Sequence, residues 1–326
     1  MINYYIFIDK FPKDLFMQPI ISFCIPTNGI SEWVFPVLNS IYSQNVSKEL
    51  FEVIVTDNGN NTEFEDKILL YKKNHINLIY KKTNSIMFQN QIDSLRLANG
   101  LYLKFVNHRA VLENGSLEWM LNQISNYKDE KPIIYFSNGV FSGKHVEYDT
   151  FDSFVNGLKE YASWTTGVGV WKEDFEKIPV NHIYNKISPH SDVLFAVRNR
   201  NKYIIDDNVW SHNINSQNNK GFYDLYKAFG CEELTITLTL LIDGDISAKT
   251  FKNVKRAYKK LLVKFYLQFN ILKIKCSYDL SGFNDSMGIF FSKSSIIILA
   301  YLKLPNYLLT QAITYIKNII KKIIKK

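Results

Sequence analysis

Through the first half of the chain, short apolar runs rich in Ile, Val and Phe alternate with stretches whose apolar residues recur every three or four positions. That alternation is the pattern of β-α-β units and a largely parallel sheet, an α/β fold. It predicts strands over residues 20–25, 51–56, 78–81, 102–106 and 133–137. Between the first two, Val34, Leu38, Ile41 and Tyr42 share one side of a helix. Between the third and fourth, Ile92, Leu95 and Leu97 mark another, expected to stop at Asn99-Gly100, where glycine can take the left-handed conformation that ends helices. Gly115, Leu117, Trp119, Met120, Leu121 and Ile124 describe a third amphipathic helix. Residues 141–245 are richer in Asn, Gly, His and aromatics, as suits loops that build a site on a rigid sheet.

After Thr250 the pattern changes to long basic helices. Phe251, Val254, Tyr258, Leu261, Leu262, Phe265 and Phe269 alternate with lysines, and Leu309, Ile313, Ile316, Ile320 and Ile323 repeat the arrangement near the end. The expected domains are therefore 1–245 and a basic helical region, 246–326. Charge divides at the same place: the last 81 residues hold 16 basic and 2 acidic side chains, net +14, whereas the preceding body is net −6.

A chain of 326 residues, 46% apolar and 21% charged, can bury a sizeable core, which excludes a disordered or fibrous protein. Cys24, Cys231 and Cys276 are few and scattered, with no zinc-ligand spacing, and fit a reducing compartment. Asp9, Lys10 and Asp14 interrupt the N-terminus, so no signal peptide is expected. The longest unbroken apolar run, residues 296–302, is short of the ~20 residues that span a bilayer. The expectation is a cytoplasmic chain that touches a membrane surface without crossing it.

In an open parallel sheet, ligands bind beyond the carboxyl ends of the strands. Here those ends are polar: Pro26-Thr27-Asn28-Gly29, Thr56-Asp57-Asn58-Gly59, Lys82-Thr83-Asn84 and Asn107-His108-Arg109. A carboxylate at such an end can accept hydrogen bonds from a base or a ribose hydroxyl, or can simply turn the chain into the next helix.

The order Ile25-Pro26-Thr27-Asn28, Val55-Thr56-Asp57-Asn58-Gly59, Thr83-Asn84, Ala98-Asn99-Gly100-Leu101-Tyr102 and Glu113-Asn114-Gly115-Ser116-Leu117-Glu118 resembles the family 2 glycosyltransferases of the GT-A fold. The resemblance covers about 120 residues and is nearest to members that build bacterial surface polysaccharides, in which a segment like Lys220-Gly221-Phe222-Tyr223 recurs. It implies a three-layer α/β sandwich and an inverting sugar transfer from a nucleotide-sugar donor to a glycan or lipid-linked acceptor. It also implies a donor pocket lined by Pro26, Thr27, Asn28 and Asn84, with Asp57 on the base. Trp164-Thr165-Thr166-Gly167-Val168-Gly169 resembles the segment beneath the donor sugar, although core packing accounts equally well for Trp164.

The chain departs from the family at the metal motif. Where the family carries Asp-x-Asp to hold Mn or Mg, this chain has Asn107-His108-Arg109, in which neither Asn nor Arg replaces a carboxylate pair, so no cofactor is expected; a divalent Mn or Mg stays open but without support from the sequence. Arg109, with His108, would supply positive charge to the donor phosphate instead. The alternative is a non-catalytic nucleotide- or sugar-binding subunit of a polysaccharide assembly complex. A nucleotidyltransferase on a related fold lacks support, because no Gly-rich Lys/Arg loop follows the first strand.

An inverting transferase needs a base. The family's acidic residue at a helix start is matched by Asp192 in Ser188-Pro189-His190-Ser191-Asp192, which could equally be a first-turn acid, with His190 in reserve. His212 matches the position of an additional metal ligand in some members, but reads here as a surface or phosphate-contacting histidine. In the basic region lysine outnumbers arginine 15 to 1, among isoleucines at helical spacing. That favours an anionic membrane surface over nucleic acid as partner, at the inner face of the cell membrane, with a lysine-covered helical subdomain as the other account.

Overall fold

The structure, a computed structural model, describes residues 18–143, 145–214 and 222–324. The expected strands lead it: β1 (Ile21–Thr27), β2 (Phe51–Asp57), β3 (Leu78–Lys82) and β4 (Tyr102–Phe105), separated by α1 (Ser31–Tyr42), α2 (Thr62–Lys73) and α3 (Asn90–Leu97). There follow β5 (Ala110–Leu112), α4 (Ser116–Tyr127), β6 (Ile133–Phe136), β7 (His145–Tyr148), α5 (Phe151–Leu158), β8 (Gly169–Trp171), α6 (Lys172–Glu176), α7 (Pro189–Leu194), β9 (Tyr203–Asp206) and β10 (Ser211–Asn213). The C-terminal third is helical: α8 (Leu225–Lys227), α9 (Glu233–Ile242), α10 (Ala248–Phe265), α11 (Phe283–Phe290) and α12 (Lys293–Ile324).

The main sheet has the order β3-β2-β1-β4-β8, parallel except for β8. β2 is buried along its whole length, because helices cover both faces; this is why such strands read as unbroken apolar runs. The fifth expected strand, β6, belongs instead to a second sheet, β6-β9-β7, and β5 pairs with β10 in a short ribbon. α1 buries Val34, Val37, Leu38 and Ile41, and α4 buries Leu117, Met120, Leu121 and Ile124, at the spacing the sequence shows.

Two details differ from expectation. α3 ends at Leu97 with Ala98 extended, and Gly100 is not left-handed. Its glycine is needed for space: a Cβ there would lie 2.6 Å from Ser22 Oγ and 2.8 Å from backbone atoms of β1. The second concerns the boundary expected at Asp245, which falls in the turn between α9 and α10. Residues on both sides of that turn share one apolar cluster, in which Val254, Tyr258, Leu262 and Val263 of α10 pack with Phe154, Leu158 and Leu240. The apolar stripe of α10 is thus core, and its lysines form the solvated face.

α12 behaves differently. Ile296 and Ala300 are buried and Leu304 and Tyr307 still pack against the core cluster, but from Leu308 the helix leaves the body, with Leu308 49%, Leu309 60% and Ile316 54% exposed. Its first part, Lys293–Thr314, is long and apolar enough to cross a membrane by length and composition, a stretch that the short unbroken apolar run does not reveal.

Candidate functional site

The parallel register brings three strand ends level: Thr27 of β1 stands opposite Asp57 of β2, and Asp57 opposite Lys82 of β3. Beyond them lies a cleft of about 350 Å³. Pro26, Thr27, Asn28, Ile30 and Trp33 form one wall, Asn58 and the 87–91 segment another, and Asn107, His108 and Arg109 the floor beyond β4. The loops after β1 and β2 meet closely because residue 59 is glycine; a Cβ would sit 2.0 Å from the Asn28 carbonyl oxygen. Of the expected donor residues, Pro26, Thr27, Asn28, Asn107, His108 and Arg109 come together here.

Asp57 and Asn84 do not. Asp57 is fully buried; its Oδ1 accepts the Gly59 N–H at 2.8 Å, and its Oδ2 accepts Tyr80 Oη at 3.1 Å and Lys82 Nζ at 3.0 Å. The carboxylate that the resemblance assigns to the base is part of the frame, and its neighbour Asn58 faces the cleft. Asn84 is exposed on a loop outside the lining. The amide at the centre is Asn90, whose Nδ2 donates to the carbonyls of Thr27 and Thr56 while its Oδ1 accepts from Thr83. Asn90 opens α3, and only the convergence of three strands shows its role.

At the floor, His108 Nδ1 lies 2.9 Å from Thr27 Oγ1, and its ring meets Trp33 edge-on with centroids 5.0 Å apart. Burial, with the adjacent Arg109 charge, holds the imidazole down at about 3, so it is neutral at ordinary pH. The guanidinium of Arg109 sits 5.0 Å from the Trp33 ring centre. Burial pushes its pKa down, opposed by the nearby hydroxyls of Tyr278 and Tyr223. Asn107 Oδ1 accepts the Arg109 N–H at 3.1 Å and fixes the turn. A guanidinium, a neutral imidazole and an engaged amide do not fit a divalent cation. Among the described residues there is also no group of three His, Cys, Asp or Glu that could hold one.

The roof comes from the C-terminal third. Tyr223 packs on Phe88 (5.5 Å) and Tyr278 (5.3 Å) and lines the cleft with Phe222. Backbone bonds from Asp279 N to Tyr223 O (3.1 Å) and from Leu225 N to Asp279 O (3.0 Å) clip these segments together. Lys220 and Gly221, expected beside them, lie outside the described residues, as does the N-terminal stretch 1–17.

The expected acceptor-side residues are dispersed. Asp192 stands in the first turn of α7, but it lines a separate cavity with His182, Arg198 and Arg200, and its carboxylate accepts the Asn185 N–H; burial raises its pKa. His190 is buried behind the cleft wall, 3.2 Å from Gln91 Oε1 and bonded through Nε2 to Ser163 O at 2.8 Å; burial lowers its pKa to about 4. It supports Gln91, which does line the cleft. His212 pairs with Glu113 at 2.7 Å on an exposed ribbon outside the lining. Trp164 is 44% exposed next to Thr165, and Thr165 is the residue that lines the cleft. Sequence reasoning missed Glu233, a buried carboxyl that burial raises to about 7, which accepts from Ser191 and Tyr258 and ties α7 to α9 and α10.

This arrangement of sheet, cleft and covering helices is the GT-A glycosyltransferase fold. Staphylococcus aureus TarS superposes with a TM-score of 0.53 at 15% identity over 83% of this chain and 48% of that one. Its 1–349 fragment in complex with UDP-GlcNAc gives 0.52 at 14%, over 78% and 76%. The Pyrobaculum calidifontis mannosyltransferase PcManGT, in complex with GDP-Man and Mn²⁺, gives 0.51 at 13%, over 88% and 87%. In sequence, the abequosyltransferase RfbV of Salmonella typhimurium is 30% identical over 119 residues, 36% of this chain and 34% of that protein. The chain thus spans about a third of the length of the curated relative it matches. No family model matches the sequence.

Proposed function

We propose that the chain is an inverting glycosyltransferase that moves a sugar from a nucleotide donor to a glycan or lipid-linked acceptor in bacterial surface polysaccharide synthesis, without a divalent metal. One observation carries this reading. Among the described residues lining the cleft, Arg109 is the one charged side chain, and it stands where the family places its metal-binding acids. In that partly desolvated position a guanidinium pairs strongly with phosphate oxygens. The acceptor oxygen bonds to the anomeric carbon as the bond from that carbon to the phosphate oxygen breaks; the nucleotide leaves with the electron pair held against Arg109, and its phosphate takes the acceptor proton, since no carboxylate lines the cleft among the described residues. Donor binding measured by calorimetry, and transfer with it, are expected to be unchanged by EDTA. Loss of both with EDTA and recovery on adding Mn would overturn the metal-free reading.

A second reading, a binding subunit without catalysis, is favoured by one fact: no carboxylate lines the cleft, among the described residues, to take the acceptor proton. Donor binding with no transfer to any polysaccharide-precursor acceptor would select it.

The proposed place of work is the inner face of the cell membrane, and the contact narrows to α12, since the apolar face of α10 is buried. No acidic residue follows Asp285, so every charged side chain of the projecting helix is a lysine, set among apolar residues and a few uncharged Asn, Thr and Gln. Two such regions would repel each other, while an anionic bilayer attracts them. The double substitution Leu309→Glu, Ile313→Glu, on exposed positions, is expected to leave the fold intact. It should weaken sedimentation with phosphatidylglycerol vesicles at least ~10-fold, since each apolar side chain contributes about 1.5 kcal/mol or more on burial. Wild-type protein that stays in the supernatant would refute the contact.

A further inference from the structure

We infer that Lys104 of β4 is a positioning residue for the donor sugar: it holds the 165–168 turn in the place from which Thr165 lines the cleft. The inference rests on the donor reading above, in which the ends of β1 and β2 take the nucleotide and Arg109, beyond β4, takes the phosphate. The sheet order then continues from β4 to β8, and Thr165 belongs to the segment that enters β8. The sugar follows the phosphate along the donor, so it lies on the Thr165 side of the cleft.

Lys104 is fully buried, and its Nζ donates to three carbonyls, Phe105 O at 3.0 Å, Val168 O at 3.2 Å and Thr166 O. The ring faces of Trp210 and Phe136 lie 4.8 and 5.3 Å from it. Three carbonyls call for three N–H groups, which the ammonium has and the neutral amine lacks. This cage therefore favours the charged form against burial, which pushes the pKa down. A methionine would fill the same space without that desolvation cost. What it could not do is hold the turn. Residues 165–167 form a single helical turn, closed by Gly167 N–H to Trp164 O and by Val168 N–H to Thr165 O, both 3.0 Å, and no side chain caps it. One turn alone is not self-supporting, so its place is set from outside. The outside ties run to β4: Val168 O accepts the Phe105 N–H at 3.1 Å, and Lys104 Nζ takes up both Val168 O and Thr166 O, on the residue next to Thr165.

The test is calorimetric titration of the full chain with UDP-glucose, UDP-GlcNAc, GDP-mannose and CDP-glucose beside free UDP, GDP and CDP, for wild type, Lys104→Met, Lys104→Gln and Thr165→Val. The readout is the affinity for the tightest-binding donor relative to its free nucleotide. Lys104→Met and Thr165→Val are each expected to lower that ratio about fivefold, the effect of one well-placed hydrogen bond, while free nucleotide binds within about twofold of wild type. Lys104→Gln keeps an amide donor and should recover part of the loss. A fold merely weakened at the lysine would move donor and nucleotide together, and that result, or an unchanged ratio in Lys104→Met, overturns the assignment. Thr165→Val leaves the buried lysine in place, so an unchanged ratio there overturns it even where Lys104→Met does not fold, and in that case Lys104→Gln must show the lowered ratio or the assignment fails. Wild type that binds none of the nucleotides or donors overturns the donor reading as well.

Discussion

Replacing Arg109 with alanine is expected to weaken nucleotide-sugar binding about 30- to 100-fold, with little change in thermal stability. A hydrogen bond to a charged partner contributes about 1.5–3 kcal/mol, and a guanidinium can make two to one phosphate. The side chain lies at the cleft floor over Trp33 rather than within the core, so its loss opens space to water without unpacking the sheet. Arg109→Lys keeps the charge but not the planar fork, and should recover only part of the affinity. His108→Ala should cost less than Arg109→Ala, because the imidazole, held down at about 3, carries no charge to offer a phosphate and acts through Thr27. Calorimetry with UDP, GDP and CDP sugars measures all three. Arg109→Ala within about threefold of wild type would remove the guanidinium from the donor site.

Asp57→Ala should do the reverse, with its main effect on stability. Alanine leaves the Gly59 N–H, the Tyr80 hydroxyl and the Lys82 ammonium without the fully buried carboxylate they share, the latter two at its Oδ2. Losing a buried charged acceptor costs about 3 kcal/mol. The Lys82 part of that is the smaller, because its side chain is 34% exposed and water can replace the bond. Urea denaturation should show the loss as a lower midpoint. Donor affinity should fall only as far as the Gly59 turn moves the Asn28 wall it touches. An Asp57→Ala variant with unchanged stability and strongly reduced nucleotide binding would restore the direct contact with the base that the sequence resemblance implies.

The sequence by itself determined the four parallel strands, their order of appearance, and the polar residues at their carboxyl ends. These are local facts: a strand buried on both faces is an apolar run, and the site begins where the run stops. It also determined the missing acid pair, since Asn107, His108 and Arg109 cannot become carboxylates in any fold. The direction of each polar side chain was decided only by the tertiary structure. Asp57 and Asn58 are adjacent, yet pleat alternation and the register that brings Lys82 beside Asp57 send one into the frame and leave the other on the cleft. Asp192 begins a helix as expected, but the packing of α7 against α9 aims it into a different cavity. Tyr223 and Tyr278 reach Arg109 through a backbone clip that no local pattern encodes. The two basic helices show the same limit: an apolar stripe reads alike whether or not protein covers it. Long-range contacts bury the stripe of α10 and leave that of α12 exposed from Leu308 onward.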